Sequence, residues 1–478
     1  MTTQCKNSLH GAGHSTTIRE YYAESAVRDR IAQYCGGHQI DPESFTAEYL
    51  SGVSEDQQID RYTEEYFLST SRSSFFWLLE QDMDIFRAVW DRNATLGILD
   101  VEYYNLVYPG EAYFKPREVF STLEPLYESI LRVFSSFGFR VLPIMTGQGY
   151  HFVFQVGFAS PVHRKLAALG PLNPILEQKY HYPQGMRCRP VPQNVGLAFE
   201  GMGRLMEYLA HLIITDLGKK YRGIPVMCTD VSVGQAREAI ALDLSMYGDP
   251  LHTRDVRCPF STYQKHRVLK DKFGDRASQE IATLVTLPRT PDMSLSKMLH
   301  LRHDFDACCR FARHTETAIP ESSAGVNALI RSYRASKLFR FHHFFDSAQH
   351  DSPDAWPSTY DRLELEKLPP CVAHCLAQPN DHLLKPTNLQ TLTRVLLKMG
   401  WHPKHIAGLV RSKFERDYGW GNQWERYDAS TRADFYVRLF AGLLDTGLDR
   451  EEDLNCFSHA EKGYCLTPGC GWNLVDFK

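Results

Sequence analysis

The segment at residues 95–105, TLGILDVEYYN, decides how this chain reads. Its composition and spacing are those of a β-strand. Successive side chains of a strand point to opposite faces, so Leu99, Val101 and Tyr103 share one face and Asp100 and Glu102 the other. Two carboxylates on one face repel each other unless a cation lies between them, and hard oxygen ligands suit Mg²⁺ or Mn²⁺. A second strand candidate, EAIALDLSMYG at residues 238–248, sets Leu242, Leu244 and Met246 on one side and Asp243 with Ser245 on the other. Three carboxylates from two strands are what a two-metal phosphoryl transfer requires. Asp-x-Glu is also a frequent accident of sequence, and the alternative is a pair of solvated edge-strand carboxylates.

Between the two strands, STLEPLYESILRVFSSFG (residues 121–138) predicts a helix, capped by Ser121 or Thr122, with Pro125 in its first turn and Gly138 as its stop. FRVLPIMT (139–146) and YHFVFQV (150–156) flank Gly147-Gln148-Gly149 and read as a hairpin. Gly147 and Gly149 would let backbone N–H groups approach an anion. By alternation His151 points away from Tyr150, Phe152 and Phe154, which frees it to meet a phosphate. The alternative is a glycine turn beside a structural histidine. GRLMEYLAHLIITDLGKKY (203–221) is a strongly amphipathic helix.

The chain has 478 residues, 43% hydrophobic and 23% charged, which suits a globular protein of two or three domains. Its net charge of −4 excludes a uniformly basic coat but not a local groove. Residues 254–272 carry Arg254, Arg257, Lys265, Arg267, Lys270 and Lys272 against Asp255 and Asp271. No run approaches the ~18 apolar residues of a membrane span, and no secretory leader is evident. The expectation is therefore a cytoplasmic, membrane-free protein. Its twelve cysteines then point to metal or burial rather than to disulfides.

Four regions follow: a helical N-terminal extension (1–75), a mixed core (76–290), a helical connector (291–365) and a helical, cysteine-rich C-terminal domain (366–478). In the first, IREYYAESAVRDRIAQYC (18–35) is the clearest helix, and the acidic tract at 55–65 reads as a solvated face. In the last, Leu389, Leu392, Val395, Leu396 and Met399 form one helical stripe ending at Gly400. Lys404, His405, Arg411, Lys413, Trp420 and Trp424 offer either a nucleic-acid surface or a solvated helix face with core tryptophans. Cys371, Cys375, Cys456, Cys465 and Cys470 read as an iron–sulfur site, a zinc site or simple burial.

The order Asp-x-Glu, then Gly-x-Gly-aromatic-His, then hydrophobic-Asp resembles the archaeo-eukaryotic primase superfamily. RDVRCPFSTYQKH (254–266) extends the likeness through Arg257, Pro259, Ser261 and Lys265. Tyr263 stands where the family has histidine, and Glu102 where many replicative primases have aspartate; Asp249 is a rival to Asp243. LPPCVAHC with NCFSHAEKGYCLTPGC resembles the C-terminal domain of the primase large subunit, which holds a [4Fe–4S] cluster by four cysteines.

This resemblance implies an α+β fold: an RRM-like primase-polymerase core of mixed and antiparallel sheets flanked by helices, followed by a mostly α-helical domain. It implies a DNA-dependent primase-polymerase that uses NTPs or dNTPs. Asp100, Glu102 and Asp243 would be catalytic ligands of Mg²⁺ or Mn²⁺. Gly147, Gly149, His151, Arg254, Arg257, Ser261 and Lys265 would bind nucleotide. Cys371, Cys456, Cys465 and Cys470 would hold the cluster, or Zn²⁺ instead, with Cys375 spare. The partners implied are a single-stranded DNA template, nucleoside triphosphates and a replicative helicase, and by analogy a mobile-element origin. Two other readings stand beside it: a repair or template-independent polymerase of the same superfamily, and a non-catalytic nucleic-acid-binding replication protein.

Overall fold

The computed structural model describes residues 16–54, 68–182, 189–218, 221, 223–229, 238–248, 250, 255–268, 273–420, 428–449 and 455–477. Arg254, Asp249, Lys270, Lys272, Trp424 and the acidic tract at 55–65 lie outside the described residues.

The fold is mixed α and β. A six-stranded sheet is built from β4 (Ala94–Asn105), β5 (Leu142–Met145), β6 (Gly149–Gly157), β7 (Val226–Cys228), β8 (Glu238–Asp243) and β12 (Leu287–Pro288). Its order is β12-β5-β6-β4-β8-β7, antiparallel throughout except for the β7–β8 pair. A four-stranded antiparallel sheet, β2-β1-β3-β9, joins β1 (Leu50–Val53), β2 (Leu68–Thr70), β3 (Asp84–Arg87) and β9 (Val256–Arg257). A short pair, β10 (Thr262–Tyr263) with β11 (Leu284–Val285), follows.

One face of β4 and β6 meets the helix Pro116–Ser136. The Tyr127 ring lies 4.7 Å from Tyr150, and Phe134 lies 5.9 Å from Phe154. Leu99, Val101, Tyr150, Phe152 and Phe154 are all buried there. Each such side chain contributes roughly 1.5–3 kcal/mol by leaving water.

This helix starts at Pro116, five residues before the predicted Ser121 cap, and Pro125 lies inside it. Proline is preorganised for the first helical position, and Thr122 instead donates back to the Glu118 carbonyl at 3.1 Å. Gly138 ends the segment with φ of 74°. The N-terminal helix is likewise two helices, Ile18–Ala23 and Ser25–Tyr34, with Glu24 extended between them. Arg28 Nε takes up the Tyr22 carbonyl at 2.6 Å beside the break. The amphipathic helix at 203–221 begins earlier and runs Gln193–Leu217.

β8 ends at Asp243 rather than running to Gly248, because the chain turns into the 3₁₀ segment Ser245–Tyr247. Tyr247 Oη then accepts from Ile98 N (2.9 Å) and donates to Ile98 O (3.0 Å), meeting the β4 backbone beyond the last β8 pair.

The C-terminal helices Pro386–Lys398 and Pro403–Phe414 pack on Ala429–Thr446, which meets the Gln193–Leu217 helix through buried charge. Arg438 pairs with Glu207 and with Glu200 (2.7 Å), and Arg204 pairs with Glu200 (3.0 Å) and Asp346 (2.8 Å). Burial pushes the Glu207 carboxyl up, but Arg438 and His342 outweigh it and hold it at about 2. Among the described residues, no helix is long and apolar enough to cross a membrane.

Candidate catalytic face

The register of the main sheet brings the strand residues together. Asp100 on β4 sits directly opposite His151 on β6 and opposite Asp243 on β8. Directly opposed residues point the same way and stand ~4.5–5.5 Å apart at Cβ, so three side chains line up across three strands. Glu102 lies two residues on, on the same face. Tyr104, two further, donates a short hydrogen bond to Glu102; sequence reasoning missed it, although the same alternation reaches it. The face is partly open: Asp100 is 21% exposed, Glu102 17% and His151 13%.

Lys265, at the start of the short helix Lys265–Val268, reaches over to this face with Nζ 3.3 Å from Glu102 Oε1. Burial pushes Glu102 up, but the Lys265 ammonium and hydrogen bonds from Tyr104 and Lys265 bring it down to about 2. Asp100 moves the other way. Burial raises it, with the Glu102 and Asp243 carboxylates adding, and His151 offsets only part. Asp100 Oδ1 is 3.4 Å from His151 Nε2 but is buried without a hydrogen-bond partner among the described residues. Asp100 thus keeps a buried oxygen unmet beside two more carboxylates, and carboxylate oxygens are the donor type that hard divalent cations take. Asp243 Oδ1 accepts from Ser245 N at 2.9 Å.

The remaining predicted nucleotide-binding residues are held differently. Arg257 is buried, pairs with Asp84 at 2.5 Å, donates to Thr262 O at 2.8 Å and lies between the Phe86 and Tyr263 rings. Ser261 Oγ is fully buried, accepts from Ile85 N (2.6 Å) and donates to Thr262 O (3.1 Å). Both groups face protein, not the carboxylates. Gly147 and Gly149 serve close packing. A Cβ at Gly147 would meet the Tyr263 ring at 2.1 Å, and one at Gly149 the Val101 carbonyl at 1.8 Å.

Asp84 organises this layer. Fully buried, it accepts from Arg257 Nη1, Thr262 Oγ1 (2.8 Å), Gln264 N (2.8 Å) and Gln264 Nε2 (3.1 Å). That clamp fixes residues 257–264 and so aims Lys265. Phe260, in the turn between, holds φ of 64° with its N–H on Thr286 O and its carbonyl on Tyr21 Oη. The sequence signal for Asp84 was slight: one carboxylate opening an apolar strand.

In the C-terminal region, Cys371, Cys456, Cys465 and Cys470 are the four of ten described cysteines that are not buried. Burial pushes the Cys371 thiol up to about 11, with Cys456 and Cys465 near enough to add to it. Leu474 N donates to Cys456 Sγ at 3.4 Å. Cys375 is buried, its thiol 3.2 Å from the Cys371 carbonyl. Among the described residues, here or at the carboxylate face, no group of three or more His, Cys, Asp or Glu side chains is placed so as to hold a metal ion. Of the basic and aromatic set, Lys404 pairs with Asp434, Arg411 with Glu415 and Lys413 with Asp361, and Trp420 is buried.

No family model, curated protein or solved structure matches this chain.

Proposed function

We propose that this chain is a DNA-dependent primase-polymerase that extends or initiates strands from nucleoside triphosphates on a single-stranded DNA template. The observation that carries the reading is the alignment of Asp243, Asp100 and His151 across three adjacent strands, with Glu102 beside them and Lys265 reaching in. Asp100, Glu102 and Asp243 would hold Mg²⁺ or Mn²⁺. When bound, those cations supply charge neutralisation for the triphosphate and ease deprotonation of the attacking 3′-hydroxyl. The chain's own part is to converge three oxygen donors on one open sheet face and to keep Glu102 ionised through Lys265. It also presents His151 and Lys265 as donors to the triphosphate. In the step itself the 3′-oxygen bonds to the α-phosphorus, and the bond to the pyrophosphate oxygen breaks.

Cys371, Cys456, Cys465 and Cys470 would hold a [4Fe–4S] cluster, with Zn²⁺ as the alternative. Their partial exposure and the amide donated to Cys456 suit a metal-bound thiolate. The cysteine-rich module rides on the Gln193–Leu217 helix and would assist initiation; a helicase would be a partner rather than part of this chain.

The test is strand synthesis on single-stranded DNA with Mg²⁺ or Mn²⁺, with and without primer, run separately with NTPs and dNTPs. Products that require both template and metal are expected. No incorporation on any template would overturn the reading. Anaerobically purified protein without absorbance near ~400 nm and without iron would remove the cluster.

A further inference from the structure

Arg302 stands out among the buried charges. It caps the helix Leu295–Leu301, is 2% exposed and donates from Nη2 to the Gly147 carbonyl at 3.3 Å. Its Nε and Nη1 are buried and find no hydrogen-bond partner among the described residues. Burial pushes its guanidinium down to about 10, and Tyr263, Tyr113, Tyr150 and Cys308, none a carboxylate, offset only part of this. The Phe120 ring lies 5.5 Å from its guanidinium carbon. Arg87, Arg204, Arg257 and Arg438, also buried, are each paired with at least one carboxylate.

A guanidinium cannot shed its proton, so Arg302 keeps an uncompensated charge in the interior. An unpaired buried charge costs several kcal/mol, and apolar replacement of buried ions is often neutral or stabilising. A buried charge that costs stability is accounted for when it serves a charge elsewhere. The turn it touches points to that charge. Gly147 O accepts from Arg302, Gln148 O from Tyr103 N (3.0 Å), and Gly149 O from Thr146 N (2.9 Å). Three successive carbonyls of the hairpin are thus engaged by protein, which leaves the turn rigid. His151 follows two residues beyond Gly149, and Gly149 itself pairs with Glu102.

We infer that Arg302 is a positioning residue for a polyphosphate anion at the carboxylate face, fixing the 147–149 turn and placing an unbalanced positive charge behind it. This deepens the proposed nucleotidyl transfer and rests on it for the identity of the anion. The carboxylates repel a triphosphate; Arg302 and Lys265 oppose that repulsion from two sides of the hairpin face. Arg302 touches no reacting atom.

The full-length chain and two variants, Arg302→Met and Arg302→Lys, decide the matter. Binding of a non-hydrolysable nucleoside triphosphate in Mn²⁺ is measured by titration, and thermal melting is measured in parallel. Arg302→Met is expected to bind about tenfold more weakly while melting at the wild-type temperature or above it. Arg302→Lys is expected to recover most of the affinity. A fall in melting temperature for Arg302→Met, including failure to fold, would overturn the inference, as would unchanged binding or a lysine variant no better than methionine. Because binding and melting need no turnover, this result is separate from strand synthesis. Wild type that binds the triphosphate as expected but never incorporates it would reject the polymerase reading alone.

Discussion

His151 and Lys265 on the carboxylate face and Arg257 and Ser261 in the layer around Asp84 drew the same expectation, contact with nucleotide, yet the two places are built in opposite ways. On the face, Asp100, Glu102, His151 and Lys265 keep between 13% and 25% of their side-chain surface, and an Asp100 oxygen is unmet by hydrogen bonds. In the layer, Arg257 and Ser261 are buried and engaged by Asp84, Ile85 and Thr262. The difference teaches that a motif residue can serve a site at one remove. The Asp84–Arg257 clamp holds the segment that delivers Lys265, and Gly147 makes room for the Tyr263 ring.

That division can be broken by substitution. The largest effect belongs to Asp100→Ala. Strand synthesis is expected to fall by a thousandfold or more, ~4 kcal/mol of transition-state stabilisation, with chemical denaturation close to wild type. An active Asp100→Ala protein would dissolve the distinction. Next comes Arg257→Ala, which strands the buried Asp84 carboxylate. It is expected to destabilise the fold by ~3–5 kcal/mol in urea unfolding, and an Arg257→Ala chain as stable as wild type would return Arg257 to the ligand side.

The smallest effect is a pH dependence beside Arg257. Burial pushes the Asp255 carboxyl up to about 7, with hydrogen bonds from Ser51 and Tyr49 offsetting part of it. A raised carboxyl contributes stability that is full below the unfolded value of ~3.9 and is lost as pH rises through the folded value. Asp255→Asn removes that loss, so its melting temperature should decline less than that of wild type between pH 5 and 8. Parallel melting curves would contradict this.

Much of the face was legible in the sequence because strands alternate. The period of two assigned Asp100, Glu102, His151 and Asp243 to their sides without any knowledge of pairing. What it could not supply was register, which alone sets Asp100 opposite both His151 and Asp243. Arg257 and Ser261 fall on a two-residue strand and a turn, where no period tells which way a side chain points. Asp84 gave only a slight signal because its four donors come from residues 257–264, more than 170 positions away. Helix ends were misjudged for local reasons. Pro116 outcompeted the Ser121 cap, and Glu24 turned extended where no glycine or proline announced it. Cys371 and Cys456 sit in the first turns of their helices and Cys465 and Cys470 in loops, so reading them as one ligand set rests on resemblance and not on periodicity.

The central claim is that Asp100, Glu102 and Asp243 together bind divalent cations for nucleotidyl transfer. Electron paramagnetic resonance of Mn²⁺ titrated into the chain with a nucleoside triphosphate tests it most directly. The account predicts saturable Mn²⁺ binding that weakens at least tenfold in Asp100→Asn and in Asp243→Asn, and that is unaltered in Ser261→Ala. Equal binding in wild type and both aspartate variants, or none in wild type, would contradict it.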